Sequence, residues 1–212
     1  MEPWYLFEGI FNVVKTLDPD ILHLHVWRHP YVFQLSKINS VRILQPHSPF
    51  YSLKQSGIIT YIYYTLVDNF LGHFIKEYNL IAITPLERDI LYKKFRASSE
   101  LIPNGVDDEL FSMKSEGDEF YLYIGRISKE KNIMKMFKAY KISNIKRQLL
   151  LAGPDNGILK EILEYISNNN LNIKYLGEIS EDKKRELLRK CRALVNPSPF
   201  EGFGLTLVEA EA

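Results

Sequence analysis

The chain has 212 residues, of which 46% are hydrophobic and 25% charged, and its net charge is +1. This length and composition allow one large domain or two small ones, and they exclude a disordered, collagen-like or disulfide-rich chain. The near-neutral charge argues against a nucleic-acid partner. Because Cys191 is the single cysteine and the first residues lack the pattern of a secretory signal, we expect a reducing compartment, the cytoplasm.

The first half of the sequence predicts strands that are separated by helical segments. Short runs of β-branched and aromatic residues, bounded by proline, glycine or polar residues, favour strands. A helix within residues 1–17 is expected to lead into the first of them. The predicted strands are DILHLH (20–25), SVRILQP (40–46), NLIAIT (79–84) and SELIP (99–103).

The apolar stretch GIITYIYYTLVDNFLG, residues 57–72, predicts a further helix. Asp68 interrupts it, and the stretch is shorter than the ~20 apolar residues that a membrane span needs. Tyr61, Tyr63 and Tyr64 would suit contact with a membrane surface or a lipid-linked acceptor. Because an aromatic stripe at this spacing is more often part of a core, we expect these tyrosines to be buried.

The second half alternates strand-like runs with longer helical patterns, which is typical of a parallel sheet built from strand–helix units. One helix is expected to begin at Ser128, a second near Ile158 and a third at Ser180. The acidic residues after Ser180 suit a helix N-terminus. The predicted strands are FYLYIG (120–125), QLLLAG (148–153), NIKYLG (172–177) and ALVN (193–196).

This pattern indicates two lobes. The stretch DDELFSMKSEGD has little apolar periodicity, which is typical of a linker. We therefore assign residues 1–110 to a first α/β lobe, residues 111–118 to a linker and residues 119–212 to a second α/β lobe.

Glycine and polar residues collect where the predicted strands end. In open parallel sheets, ligands bind beyond the carboxyl ends of the strands. Gly125, Gly153 and Gly177 each end a strand of the second lobe, and His47 follows a strand of the first. We expect both lobes to present these edges to a common cleft.

The most informative stretch is NPSPFEGFGLTLVEAEA, residues 196–212. Gly202 and Gly204 allow a ligand to approach the backbone closely, and the amides at the start of the following helix favour a diphosphate. Glu201 and Glu209 can accept hydrogen bonds from hydroxyl groups on either side of that diphosphate. An ordinary loop with solvated glutamates has the same spacing, so the spacing alone leaves both interpretations open.

The same stretch resembles the two-glutamate signature of the retaining glycosyltransferases of family 4, which have the GT-B fold. The resemblance implies an α/β fold of two Rossmann-like lobes, each a parallel sheet with flanking helices. It also implies transfer of a sugar from a nucleoside-diphosphate donor to an acceptor hydroxyl, with retention of configuration and with no metal or other cofactor. Further segments resemble the family in the same order: DPDILHLH with ILQPHSPF, LIPNGVD, YLYIGRISKEKNI, LLLAGP and IKYLGEIS.

The resemblance implies a role for each residue that matches a motif of the family. Arg126 and Lys131 would carry the donor's diphosphate, where negative charge develops as it leaves. Glu201 would bind hydroxyls of the transferred sugar, and Glu209 would bind the ribose. His47 would reach the reacting sugar from the first lobe, which makes it, with Arg126, Lys131 and Glu201, a predicted catalytic residue. The predicted donor-binding residues are Gly125, Gly153, Gly177, Glu178, Ile179, Gly202, Phe203, Gly204, Leu205 and Glu209.

Two other patterns could be mistaken for metal sites. The triplet at residues 18–20, Asp-Pro-Asp, is formally the one by which the other large glycosyltransferase fold binds a metal, but its proline favours a turn before a strand. His23 and His25 alternate on one strand face, with His29 nearby, yet no cysteine or acidic residue completes a zinc site. We expect no metal, and we expect these histidines to lie partly buried on the acceptor side.

The family begins with a strand and a glycine-rich loop and continues beyond the second glutamate, so we expect both lobes to be incomplete. Exposed sheet edges would favour a homo-oligomer or a complementary chain. The alternatives to an active transferase are a nucleotide-sugar-binding but inactive fragment, one subunit of a split enzyme, or a phosphorylase or epimerase of the same fold. The acceptor stays open among a glycan, a lipid-linked molecule and a small molecule, as does peripheral contact with the inner membrane surface.

Overall fold

The computed structural model describes residues 9–47 and 57–212. The chain folds as two compact units, with the boundary between Asn104 and Gly105. Each unit is built on a four-stranded parallel sheet with flanking helices, so the predicted α/β fold is confirmed. The predicted linker, residues 111–118, lies within the second unit.

The first unit alternates helices with strands. Its elements are α1 (Ile10–Leu17), β1 (Ile21–His25), α2 (Tyr31–Leu35), β2 (Val41–Gln45), α3 (Ile58–Leu71), a 3₁₀ turn (Ile75–Glu77), β3 (Asn79–Ala82), α4 (Pro85–Phe95) and β4 (Ser99–Leu101). The strand order is β1-β2-β3-β4, and every neighbouring pair is parallel. Residues 1–8 of the predicted first helix and residues 48–50 of the ILQPHSPF segment lie outside the described residues.

Asp68, the charge that interrupts the apolar sequence of α3, is buried in the first unit. It is 1% exposed and pairs with the buried Arg28 at 2.7 Å, and Lys94 of α4 also contacts its carboxylate. The Arg28 guanidinium in turn lies 4.4 Å from the ring centre of Tyr64. Asp68 therefore attaches α3 to the rest of the unit.

Other sides of α3 are exposed, so the prediction of a buried tyrosine stripe is wrong. Tyr61 and Tyr63 are 40% and 39% exposed, and Tyr64 is half-buried. The helix is apolar on almost every side, and its sequence therefore does not indicate which side is buried. Within the described residues, no helix combines the length and the apolar character needed to cross a membrane. The further exposed apolar residues of α3 are Ile58, Ile59, Ile62, Leu66 and Phe70.

The second unit contains its four predicted strands in the order β7-β6-β5-β8, again all parallel. The numbering continues along the chain from the first unit. The elements are α5 (Asp108–Phe111), β5 (Phe120–Ile124), a 3₁₀ turn (Lys129–Lys131), α6 (Ile133–Ser143), β6 (Leu149–Ala152), α7 (Leu159–Asn168), β7 (Ile173–Tyr175), α8 (Glu181–Lys190), β8 (Cys191–Leu194) and α9 (Leu205–Glu211).

The central strand β5 is buried on both faces, as is typical of parallel sheets. Tyr123 packs with Phe137 of α6 in one cluster, and Leu122 packs with Leu187 of α8 in another. Along the chain, β6 and β7 extend the sheet on one side of β5, whereas β8 pairs with its other side. The strand order therefore reverses between β5 and β8, the position where open parallel sheets bind ligands.

The prediction of a helix start at Ser128 is wrong. The chain first makes the 3₁₀ turn, and α6 begins at Ile133 after Asn132, whose φ is 55°. Asparagine tolerates this left-handed conformation better than most residues. Lys131 therefore ends a turn instead of opening a helix. The predicted start at Ser180 is confirmed, because its hydroxyl accepts a hydrogen bond from the third amide of α8 at 3.3 Å.

Candidate functional site

The carboxyl end of the second sheet brings together the glycines that follow β5, β6 and β7. The amide of Gly125 donates to the carbonyl of Ala152 at 2.9 Å, and the amide of Gly153 donates to the carbonyl of Gly177 at 2.8 Å. The three strand-end glycines therefore lie side by side on one edge of the sheet.

Gly153 occupies a position that other residues would not fit. Its φ is 136°, and a Cβ atom there would lie 2.1 Å from the carbonyl oxygen of Gly125. Residues with a side chain rarely adopt this backbone conformation. The loops after β5 and β6 can approach each other this closely because the position is a glycine.

Lys131 and Glu201 form an ion pair at the point where the strand order reverses. Lys131 follows β5 and Glu201 follows β8; their Nζ and Oε1 atoms lie 2.7 Å apart, and the side chains are 19% and 27% exposed. Asn196 donates to the same carboxylate oxygen at 3.1 Å. Burial alone would raise the pKa of Glu201, but hydrogen bonds from Lys131, Asn196 and Ser198 and the charge of Lys131 lower it overall. Glu201 is therefore a carboxylate at neutral pH.

A second lysine–glutamate pair, which was not predicted from the sequence, joins α8 to α9. Lys184 Nζ lies 2.8 Å from Oε1 of Glu209 and 2.6 Å from the carboxylate of Glu181. Lys184 and Glu209 are only 15% and 16% exposed. Burial alone would lower the pKa of Lys184, but its hydrogen bonds to Glu181 and Glu209 and their charges raise it overall. A lysine near the start of a helix opposes the helix dipole, and this is the signal in the sequence that could have indicated Lys184.

The other carboxylate oxygen of Glu209, Oε2, is buried and has no hydrogen-bond partner among the described residues. Most buried polar atoms in proteins have such a partner. This oxygen therefore has acceptor capacity that no described residue uses.

Arg126 is exposed at the end of β5, directly after Gly125. Its carbonyl accepts a hydrogen bond from the hydroxyl of Tyr123 at 2.8 Å. Burial raises the pKa of Tyr123, the charge of Glu201 raises it further, and the charge of Arg126 opposes this rise. Arg126 and Glu201 thus act on the same buried phenol, which places both charges at this edge of the sheet.

The loop between β8 and α9 ends at Gly204, which has a φ of 81° and caps the helix. The amides of Leu207 and Val208 donate to the carbonyl of Gly204, whereas the first amides of a helix, which here include that of Leu205, have no acceptor inside it. Gly202 and Phe203 precede the cap and are half-buried. The predicted phosphate-binding segment is therefore a loop that leads directly into a helix start.

The last predicted donor-binding residues follow Gly177 on the way to α8. Glu178 is exposed, whereas Ile179 is half-buried and packs against the cluster that contains Leu187. The loops at the carboxyl edge of the second sheet, with α9, thus contain all the predicted residues of the second lobe: Gly125, Arg126, Lys131, Gly153, Gly177, Glu178, Ile179, Glu201, Gly202, Phe203, Gly204, Leu205 and Glu209.

His47 belongs to the first unit and follows β2. Its Nε2 lies 2.8 Å from Nδ1 of His25, and the ring centre of His25 lies 4.3 Å from that of His23. Burial lowers the pKa of His47, and the charges of His25 and His23 lower it further. His47 is therefore neutral at pH 7. The sequence does not indicate this contact. His23 and His25 are exposed, so the prediction that they lie partly buried is wrong for these two, whereas His29 is half-buried.

The two patterns that could be mistaken for metal sites have structural roles. Asp18 is the C-cap of α1 with a φ of 42°, and the carbonyl of Asp20 accepts a hydrogen bond from the amide of Val41 at the start of the sheet. His29 stacks on Tyr31, with the ring centres 4.3 Å apart. In the part of the chain that the structure describes, no group of three or more histidine, cysteine, aspartate or glutamate side chains is placed to hold a metal ion.

Residues 107–212, half of the chain, match the family described as glycosyl transferases group 1. The chain belongs to this family. The matched residues contain both lysine–glutamate pairs and Arg126. They therefore include the whole of the candidate site in the second unit.

Curated members of the glycosyltransferases match most of the chain. An uncharacterized glycosyltransferase of Methanocaldococcus jannaschii is 27% identical over an alignment 212 positions long, which covers 95% of this chain and 56% of that protein. A Campylobacter jejuni enzyme, N-acetylgalactosamine-N,N'-diacetylbacillosaminyl-diphospho-undecaprenol 4-alpha-N-acetylgalactosaminyltransferase, is 26% identical over 187 residues, which cover 84% of this chain and 48% of that protein. The chain thus spans about half the length of the curated relatives it matches.

Solved structures share the fold. Anabaena HepE, crystallised in complex with UDP and glucose, aligns with a TM-score of 0.76 at 16% identity, over 94% of this chain and 59% of that one. At such identity the likeness concerns the fold alone, and that fold is GT-B.

Proposed function

We propose that the chain carries the donor site of a glycosyltransferase that moves a sugar from a nucleoside-diphosphate donor to an acceptor hydroxyl, with retention of configuration. Membership of the glycosyl transferases group 1 family supports the transfer reaction. The observation that carries the donor assignment is Glu209, which has one oxygen bound by Lys184 and the other buried without a partner in the described chain. A ribose hydroxyl would supply the missing hydrogen-bond donor.

Arg126 and Lys131 are proposed to bind the diphosphate. As the bond to the sugar breaks, negative charge develops on the leaving phosphate, and fixed cations stabilise that charge. Lys131 is largely shielded from water, so its charge is screened less than that of an exposed lysine. With the amides at the start of α9, these two side chains would supply the positive charge without a metal ion.

Glu201 is proposed to bind hydroxyls of the transferred sugar. Because its pKa is lowered, it is an acceptor of hydrogen bonds and not a proton donor at neutral pH. Retention would follow a front-face path. The acceptor oxygen bonds to the anomeric carbon on the face from which the diphosphate leaves, and the leaving phosphate oxygen takes the acceptor's proton.

His47 is proposed to donate a hydrogen bond to the transferred sugar. Its lowered pKa keeps the imidazole neutral, and a neutral imidazole carries one N–H donor. With Nε2 accepting from Nδ1 of His25, that donor is Nδ1. A neutral group also adds no positive charge beside the anomeric carbon, where positive charge develops in the transition state.

The acceptor is proposed to be a lipid-linked glycan at the inner membrane surface. The name of the C. jejuni relative specifies a sugar on diphospho-undecaprenol. In this chain, α3 exposes large apolar side chains, and its single charged residue, Asp68, is buried. An exposed apolar helix surface without charges favours contact with a bilayer surface.

Calorimetric titration of the purified chain with UDP, GDP and ADP in the presence of a chelator tests the donor site. We expect micromolar binding of one nucleotide, weakened at least about tenfold by Glu209→Gln. Glu211→Gln, at an exposed position of the same helix, is the matched control and should bind as the wild type does. Absence of binding to all three nucleotides, or equal affinity of Glu209→Gln and the wild type, would refute the assignment.

Turnover distinguishes the active enzyme from a binding-only fragment. The similar curated proteins are transferases, which favours the active enzyme. Release of the nucleoside diphosphate should therefore depend on an added lipid-linked acceptor. Nucleotide binding without such release, both alone and with a complementary chain, would support the inactive fragment.

A further inference from the structure

Lys184 connects the second glutamate to a neighbouring helix. Its ammonium group lies 2.8 Å from Glu209 on α9 and 2.6 Å from Glu181 on its own helix, α8. Among the described residues, this is the ion pair that joins α8 to α9. Lys183, the preceding residue, is exposed and pairs with Glu186 within α8. The two neighbouring lysines therefore have different partners in different environments.

Both side chains of the Lys184–Glu209 pair are shielded from water. Water screens an exposed ion pair strongly, but it screens a largely buried pair much less. Removal of one charge from such a pair leaves the other charge poorly solvated and without its partner. Glu209 therefore depends on Lys184 for its orientation.

Binding of one carboxylate oxygen also fixes the other. Lys184 occupies Oε1 of Glu209, and because a carboxylate is planar, this constrains where Oε2 lies. Oε2 is buried and has no donor among the described residues. The structure thus holds a hydrogen-bond acceptor in place without a group of the protein to satisfy it.

We propose that Lys184 is a positioning residue for ribose recognition, holding Glu209 so that Oε2 accepts a hydrogen bond from a ribose hydroxyl of the donor. This inference rests on the proposed nucleoside-diphosphate site. Lys184 itself does not contact the nucleotide. Its loss weakens the ribose contact but leaves the contacts of the base and the diphosphate, so it changes the preference for ribose over a sugar that lacks the hydroxyls.

Calorimetric titration with UDP and with its 2′,3′-dideoxy analogue tests the inference; the corresponding pair for GDP or ADP is used if the wild type binds that nucleotide instead. We expect the wild type to prefer the ribonucleotide by about tenfold or more, as for a hydrogen bond to a charged acceptor. Lys184→Met keeps an apolar stem of similar length and should reduce that preference to about twofold or less. Its affinity for the dideoxy analogue should stay within about twofold of the wild-type value.

Two further variants show whether the effect is specific. Lys184→Arg should restore part of the ribose preference, because its guanidinium can still bind Glu209. Lys183→Met removes the same charge one residue away and should keep the wild-type preference. If Lys184→Met is unfolded in a thermal melt, Glu181→Gln removes one of the two anchors of Lys184 and should show a smaller loss of the same preference.

The contrary outcomes distinguish failure of the inference from failure of the donor site. An unchanged ribose preference in Lys184→Met, or in Glu181→Gln where that variant replaces it, overturns the inference. An equal loss in Lys183→Met overturns it as well. Equal affinity of the wild type for both nucleotides overturns the inference but still supports a donor site. Failure of the wild type to bind any of the three nucleotides refutes the donor site and the inference together.

Discussion

Replacement of Lys131 by methionine should weaken donor binding and change the titration of Glu201. The two side chains are 2.7 Å apart and mostly buried. A hydrogen bond to a charged group contributes about 1.5–3 kcal/mol, which corresponds to a factor of about 10–150 in affinity. If Lys131 bonds to the diphosphate in the complex, Lys131→Met should weaken nucleoside-diphosphate binding at neutral pH by about 10- to 100-fold.

The affinity of Lys131→Met for the donor should also depend on pH in a way that the wild-type affinity does not. Burial raises the pKa of Glu201, and Lys131 is the first of the groups that lower it. Without Lys131 this pKa rises, so Glu201 takes up a proton at a higher pH than in the wild type. A protonated Glu201 no longer repels the diphosphate. The affinity of Lys131→Met should therefore partly recover as the pH falls, whereas wild-type Glu201 stays ionised over the same range and gives no such gain.

Calorimetric titration from neutral pH down towards the ordinary pKa of glutamate measures both effects. Lys129→Met, at an exposed position of the same 3₁₀ turn, is the matched control. A nucleoside-diphosphate sugar is the ligand in this titration, because its diphosphate stays fully ionised over this pH range and the pH profile then reports on the protein. Equal affinities of Lys131→Met and Lys129→Met at neutral pH would refute the role of Lys131. Parallel pH profiles would refute its effect on Glu201.

Three further substitutions test the fold and the apolar helix. Asp68→Ala should destabilise the first unit by about 3–5 kcal/mol, because it leaves the buried Arg28 without this carboxylate; Glu186→Ala, at an exposed pair, should have a much smaller effect in urea denaturation, and equal losses would contradict the argument. Gly153→Ala should destabilise the second unit by at least about 3 kcal/mol through overlap with a carbonyl oxygen, and a wild-type urea midpoint would contradict this. Leu66→Glu should reduce sedimentation of the chain with phospholipid vesicles about tenfold, whereas equal sedimentation would argue against membrane contact by α3.

The strands could be predicted from the sequence because their residue types favour an extended backbone and also suit the packing on both faces of the sheet. The run FYLYIG is typical: its alternate residues face two different clusters, so both sets are apolar or aromatic. The glycine at the end of a run has a separate cause, which is the close approach of adjacent loops at Gly153. Both features can be recognised within a run of six residues. All eight predicted strands are present.

The two errors have different causes, one distant in the sequence and one local. In α3 the apolar residues surround the helix, and the side that is buried is the one whose Asp68 meets Arg28, a residue 40 positions away. At Ser128 the local pattern suits a helix start, but Asn132 adopts a left-handed conformation and delays the helix to Ile133. The partner of Asp68 cannot be predicted from the local pattern, whereas Asn132 is a local signal that the helix starts later.

The position of the site could be predicted, whereas its charge pairing could not. The rule that ligands bind at carboxyl ends depends only on strand order, and it identified the loops after β5 and β8. The pairs join residues that are 70 positions apart for Lys131 and Glu201 and 25 apart for Lys184 and Glu209. Lys131 neutralises Glu201, and Lys184 is shared by Glu209 and Glu181, so these carboxylates oppose an anionic ligand less than unpaired glutamates would. Arg126 adds an exposed positive charge at the same edge.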